Sequence, residues 1–128
     1  MLYYISVTLT FILIISISIL NYYNNYEYFN NIQIFKKMLS TNNFKYIIDV
    51  RTNQEYQQGH YPNSINIPIQ KFNIEQLKKK IPNINKNDNI LIYCKSGRRA
   101  KIAYQKLKKN NFNNVYYLKG NYQLLLDD

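Results

Sequence analysis

The sequence predicts an α/β domain, a parallel sheet flanked by helices, preceded by an N-terminal transmembrane helix. Three features carry that expectation. Residues 2–20 hold only apolar and hydroxyl-bearing side chains, without a charge. Beyond residue 30, apolar runs of strand type alternate with stretches whose apolar residues recur at helical spacing, the pattern of a parallel sheet covered on both faces. The single cysteine stands directly after the most apolar of those runs, at the strand end where open α/β sheets gather functional groups. The chain thus divides into a transmembrane helix (signal-anchor) at 2–20, a linker at 21–29 and one domain at 30–128.

The run LYYISVTLTFILIISISIL matches the ~20 residues a helix needs to cross a hydrocarbon core of ~30 Å. Tyr3, Tyr4, Tyr22 and Tyr23 flank it, and amphipathic rings favour the membrane interface. A cleaved signal peptide, which would make the domain secreted, is the rival. It lacks a basic leader and a clear small-residue cleavage pattern, although Ser16 and Ser18 leave room for one. Lys36, Lys37 and Lys45 follow the segment and no basic side chain precedes it, so the positive-inside rule places the domain in the cytosol.

Residues 21–29 are polar and rich in Tyr and Asn, which reads as a linker. Ile32, Phe35, Met38 and Leu39 then fall at helical spacing, predicting a short helix from about Asn31 to Ser40. Tyr46–Val50 is a compact strand run, and Glu55–Gln58 before Gly59 is a brief helix with a glycine stop. Ser64–Ile67 is a short strand ended by Pro68. Lys71–Ile81, with Phe72, Ile74, Leu77 and Ile81 as its apolar positions and Pro82 as terminator, predicts a helix. Asn83–Asn89 is a polar loop and Asn89–Tyr93 the clearest buried strand. Arg98–Lys109 places Ile102, Ala103 and Leu107 along one helix face. A last strand, Val115–Leu118, precedes Gly120 and an apolar tail from Tyr122 to Leu126.

Composition narrows the function. The net charge of +10 comes mostly from Lys, and a solvated basic surface or attraction to an anionic membrane face accounts for it. No nucleic-acid motif is present, so no nucleic acid is expected as a partner. The Lys78–Lys80 and Lys108–Lys109 runs end helices, where cations complement the dipole. One Cys and one His cannot form an internal disulfide or a metal cluster, so neither a metal nor any other cofactor is expected.

The thiol of Cys94 is therefore either buried filler or a reagent, and its neighbours favour the reagent. A strand that turns into a helix within a few residues leaves backbone N–H groups converging on one point. Those amides, the helix dipole and the side chains of Lys95, Arg98 and Arg99 favour a thiolate and an anionic substrate. Gly97 permits the positive φ of a tight cradle, and Ser96 adds a hydroxyl, either as a donor or as a helix N-cap.

Two stretches, and with them the tail, resemble the rhodanese family of single-domain sulfurtransferases. Ile48-Asp49-Val50-Arg51, Glu55-Tyr56, Gly59-His60-Tyr61-Pro62 and Ser64-Ile65-Asn66-Ile67-Pro68 are similar to its D-V-R, E-[FY], G-H-I-P, A-x-N-I-P pattern. Ile92 to Ala100 is similar to its Y-C-x-x-G-x-R-[ST]-x-x-A loop, and Phe112 to Gly120 resembles its ending. The resemblance implies a rhodanese-like parallel sheet flanked by helices and sulfane-sulfur transfer through a persulfide on Cys94. A small anionic donor such as thiosulfate and a thiol or cyanide acceptor would be its partners. Lys95, Ser96, Gly97, Arg98 and Arg99 would bind substrate, with Arg99 closing the loop. Asp49 and Arg51 would brace it from a neighbouring strand end, and His60 would shape a turn.

Three departures stand out. Ala100 replaces the usual Ser or Thr, Asn121 stands where a second Gly is common, and no Trp closes the tail. These bear on C-terminal packing and on rate. Tyrosine-phosphatase-like enzymes and arsenate reductases share the architecture, but a C-x5-R loop would need Arg at position 100. Arg99 gives C-x4-R instead. A non-enzymatic, membrane-tethered binding module is the other alternative, and the presence of Cys94, Gly97 and Arg99 argues against it.

Overall fold

The computed structural model describes residues 1–126, with the side chains of 24–30 left aside; the last two residues of the expected domain lie outside it. The chain forms two compact units, Met1–Ile34 and Phe35–Asp128.

The first unit is helical. Helix α1 spans Leu2–Ser40, so the backbone of the stretch expected as a linker is helical, and the short helix expected from Asn31 is the end of a longer one. No Gly or Pro interrupts residues 1–40. A helix already nucleated by the apolar run therefore propagates at little cost per added residue, even through Asn and Tyr. Leu2–Tyr23 is a candidate membrane span, about 33 Å long at ~1.5 Å per residue. Four of its hydroxyls bond back to the helix's own carbonyls. Thr8 and Thr10 donate to the carbonyls of Ile5 and Val7 (2.9 and 2.8 Å), and Ser16 and Ser18 to those of Ile12 and Ile14 (2.8 and 2.9 Å). Hydrocarbon imposes that requirement on every polar group.

The second unit is built on four parallel strands in the order β2-β1-β3-β4. They are β1 (Tyr46–Asp49), β2 (Ile65–Asn66), β3 (Ile90–Cys94) and β4 (Val115–Asn121). Helices α2 (Asn53–Gln58), α3 (Ile74–Lys80) and α4 (Arg98–Lys109) connect or follow them. Every residue of β3 is buried, as a central strand covered on both faces requires. Ile48, Val50, Ile90, Ile92, Phe72 and Leu107 form the middle of the core. Phe35, Phe44 and Tyr116 meet edge to face, with ring centroids 5.8–6.0 Å apart.

Three expectations change in detail. The helix expected over 71–81 is a 3-10 turn at Ile69–Lys71 followed by α3, because the Asn73 side chain accepts from the Gln76 N–H at 2.8 Å and starts the helix there. On α4 the buried residues are Ala100, Ala103 and Leu107, while Ile102 is exposed. One residue's step of about 100° carries Ile102 off the core face. Strand β4 continues past Leu118 to Asn121, which lies opposite Cys94 across an irregularity in the ladder.

Candidate functional site

Cys94 ends β3, in register with Asn121 of β4, and its neighbour Tyr93 pairs with Asp49 of β1. The chain then turns through Lys95, Ser96 and Gly97 into α4. Gly97 has φ +95, and a Cβ there would lie 2.8 Å from the Lys119 Cα and 3.0 Å from the Leu118 carbonyl oxygen. Both backbone conformation and space demand glycine.

The loop closes on the sulfur. The Gly97 N–H donates to Cys94 Sγ at 3.0 Å and the Ala100 N–H at 3.4 Å. Gly97 is the N-cap of α4 and offers no side chain, so the cysteine sulfur takes the place of a capping oxygen. Ser96 does not cap the helix. Cys94 is fully buried, with Lys95 and Ser96 exposed above it. A negative sulfur at this point meets two backbone dipoles and the positive end of a helix.

Two ion pairs hold the surroundings. Asp49, fully buried, accepts from the Arg51 backbone N–H at 2.8 Å and from its Nε and Nη2 at 3.0 and 2.7 Å. Arg51 also donates to the Gly59 carbonyl, and its guanidinium lies over the adjoining rings of Tyr93 and Tyr122, 5.5 and 4.8 Å from their centroids. Arg99 instead grips Glu55 in a two-pronged pair of 2.8 and 3.0 Å. Glu55 belongs to a capping box at the start of α2, accepting from the Thr52 N–H at 2.9 Å while its own N–H donates to the Thr52 hydroxyl. The Arg99 guanidinium lowers the Glu55 carboxyl from its ordinary 4.5 to about 2, and Glu55 in turn raises Arg99.

Among the described residues, Lys95 and Arg98 are exposed and have no acidic partner. Lys95 borders a cavity of about 270 Å³ that Arg51, Glu55, Gly59 and Tyr122 also line. His60 stands apart from the sulfur: its ring stacks on Tyr56 at 3.7 Å and its Nδ1 bonds the Tyr56 carbonyl oxygen.

Glu55 and Tyr93 stand in the motifs that carry the resemblance, but the sequence assigns neither of them a role at the site. The Thr52-x-x-Glu55 spacing is a capping-box signal that would have placed Glu55 at a helix start. Nothing local announces the partners of Tyr93, whose hydroxyl receives the Tyr61 N–H at 3.0 Å and shares a hydrogen bond with Ser64. Burial pushes that phenol well above its ordinary value. The departures at 100 and 121 also find places. Ala100 is buried and gives its amide to the sulfur, while Asn121 Oδ1 accepts from the Gln123 N–H and caps the terminal 3-10 turn, Tyr122–Leu125.

A family model described as a rhodanese-like domain matches residues 31–127. The adenylyltransferase and sulfurtransferase UBA4 of Saccharomyces cerevisiae is 34% identical over 87 residues, which cover 63% of this chain and 20% of that protein. The chain thus spans about a fifth of the length of that curated relative. Among solved structures, a rhodanese with anions from E. coli is 32% identical with a TM-score of 0.52, covering 61% of this chain and 87% of that one. The human single-domain sulfurtransferase TSTD1 shares the fold, with a TM-score of 0.61 at 18% identity, covering 73% of this chain and 90% of the other.

Proposed function

The chain belongs to the rhodanese-like domain family, a family of sulfurtransferases, and from that premise we propose that Cys94 carries sulfur as a persulfide between thiosulfate, or a similar donor, and a cyanide or thiol acceptor. The observation that carries this reading is the position of Sγ, held by the Gly97 and Ala100 amides at the start of α4.

In the first step the Cys94 thiolate attacks the outer sulfur of thiosulfate. The sulfur–sulfur bond of the donor breaks and sulfite leaves with its electron pair. Cys94–S–S⁻ remains, and the loop amides from Lys95 to Arg99 hold its charge. In the second step cyanide or a thiolate attacks the outer sulfur, and the electron pair of the broken bond returns to Cys94. Thiocyanate or a new persulfide departs. Lys95 and Arg98 attract the anionic donor, Ser96 offers a hydroxyl, Gly97 allows the turn, and Arg99 ties the loop to α2 through Glu55. Asp49 and Arg51 support the strand ends beneath it.

Residues 2–20 serve in this reading as a membrane anchor with the domain on the cytosolic side. Self-satisfied hydroxyls in an exposed apolar helix support it. Alkaline extraction of membranes tests that part: the intact chain should stay in the pellet, and a shortened soluble protein would show a cleaved signal instead.

Sulfur loading is tested on the full chain in detergent. Incubation with thiosulfate should add the mass of one sulfur atom to the wild type and none to Cys94→Ser. No added sulfur on the wild type, together with phosphate-ester hydrolysis, would overturn the reading.

A further inference from the structure

Helix α4 carries cations at both ends, and only one end suits them. Lys106, Lys108 and Lys109 in its last turn face the negative end of the helix dipole, as do Lys78, Lys79 and Lys80 on α3. Arg98, Arg99 and Lys101 crowd the positive end, where the first turn has no acidic residue and where a carboxylate would be the stabilising choice. Arg99 has Glu55 as a partner. The other described carboxylates of the domain are committed elsewhere: Asp49 to Arg51, Glu75 to Lys79 and Asp88 to Lys45.

Lys95, Arg98, Lys101 and Lys119 are exposed and, among the described residues, have no acidic partner. All four border the Cys94 loop. Lys95 and Arg98 flank it in sequence, the Lys101 N–H donates to the Gly97 carbonyl at 2.9 Å, and the Lys119 Cα is the atom a Gly97 Cβ would strike. A dianionic donor needs two of these charges. The surplus is unfavourable against the helix dipole, and a larger anion seated over the loop would relieve it.

We propose that this basic rim docks an acidic protein segment bearing a thiol, which collects the sulfur from Cys94; the inference rests on the persulfide reading above. The thiolate of the segment attacks the outer sulfur of Cys94–S–S⁻, the bond to Cys94 breaks, and its electron pair stays on Cys94. No oxidant or reductant is consumed. A single-stranded nucleic acid would stack its bases on exposed rings. Among the described residues of the domain, Tyr116 is the exposed ring of tyrosine or phenylalanine, and it packs edge-on against Phe35 and Phe44 instead.

Two synthetic peptide thiols of equal length test the proposal, one with a run of Glu beside its Cys and the other with Gln at those positions. With the persulfide-loaded full chain at low salt, the acidic peptide should be the better acceptor by roughly tenfold in kcat/KM. High salt should erase that preference, as should the double variant Lys101→Glu with Lys119→Glu. Lys78→Glu with Lys80→Glu, the same change of net charge on α3, should keep it. Intact mass after thiosulfate separates the two levels. A wild type that takes up no sulfur defeats the persulfide reading itself. A loaded wild type that serves both peptides equally at low salt overturns the rim alone. So does an RNA oligonucleotide that blocks transfer more strongly than a Glu-rich peptide without Cys, which would assign the rim to nucleic acid.

Discussion

Two arginine–carboxylate pairs flank the Cys94 loop and differ in burial. Asp49 and Arg51 are closed from water, with side chains 0% and 10% exposed, whereas Glu55 and Arg99 are 30% and 24% exposed. The inner pair joins residues two apart in sequence and sits under the strand ends. The outer pair joins residues 44 apart and ties the sulfur loop to α2. Removing one partner from the inner pair leaves a buried charge alone; removing one from the outer pair frees a loop whose charges water can reach. On the proposed reading, the inner pair would govern folding and the outer pair how the loop meets a sulfur donor.

The largest effect should come from Asp49→Ala. It strands the buried Arg51 guanidinium and should cost about 3–5 kcal/mol, read as a lowered denaturant midpoint. Retained stability would mean that the pair is not the scaffold. Gly97→Ala comes next. It places an L side chain at φ +95 and 2.8 Å from the Lys119 Cα, and should cost about 1–3 kcal/mol together with sulfur transfer.

Glu55→Gln should sharpen the contrast. Stability should fall by on the order of 1 kcal/mol, while sulfur transfer falls by up to roughly a hundredfold as the loop loses its tether. The pH dependence has a definite sign. The folded-state value of Glu55 is depressed, so its contribution is fully present above the ordinary 4.5 and is lost as pH falls through about 2. Wild type and Glu55→Gln should converge in stability across that window. A constant gap would dissociate Glu55 from the pair. The smallest change is expected of Asn121→Gly, which removes the cap of the terminal 3-10 turn; thermal unfolding should shift by the equivalent of about a few tenths of a kcal/mol with sulfur transfer intact.

The same division explains what the sequence could tell. Helix α4 was legible to its ends, because Gly97 before it and the Asn110-Asn111 pair after it are local punctuation. The Cys94 loop was legible because a lone thiol, a glycine and a cluster of cations share seven consecutive residues, 93–99. Asp49 and Arg51 stood out through the motif they share. The Glu55–Arg99 pair did not, since its two halves are brought together by folding alone. The bracing role of Tyr93 is hidden for the same reason, as its hydroxyl partners lie 29 and 32 residues away. At the N-terminal side, composition does not show that the backbone of the expected linker is helical, because Asn and Tyr disfavour a helix only weakly once it has begun.

That Cys94 itself carries the transferred sulfur is tested most directly with thiosulfate radiolabelled at its outer sulfur. The full chain should retain one label per Cys94, keep it while unlabelled sulfite is washed away, and release it to cyanide as labelled thiocyanate. Label that stays equally on Cys94→Ser, or that never leaves with cyanide, would contradict the account.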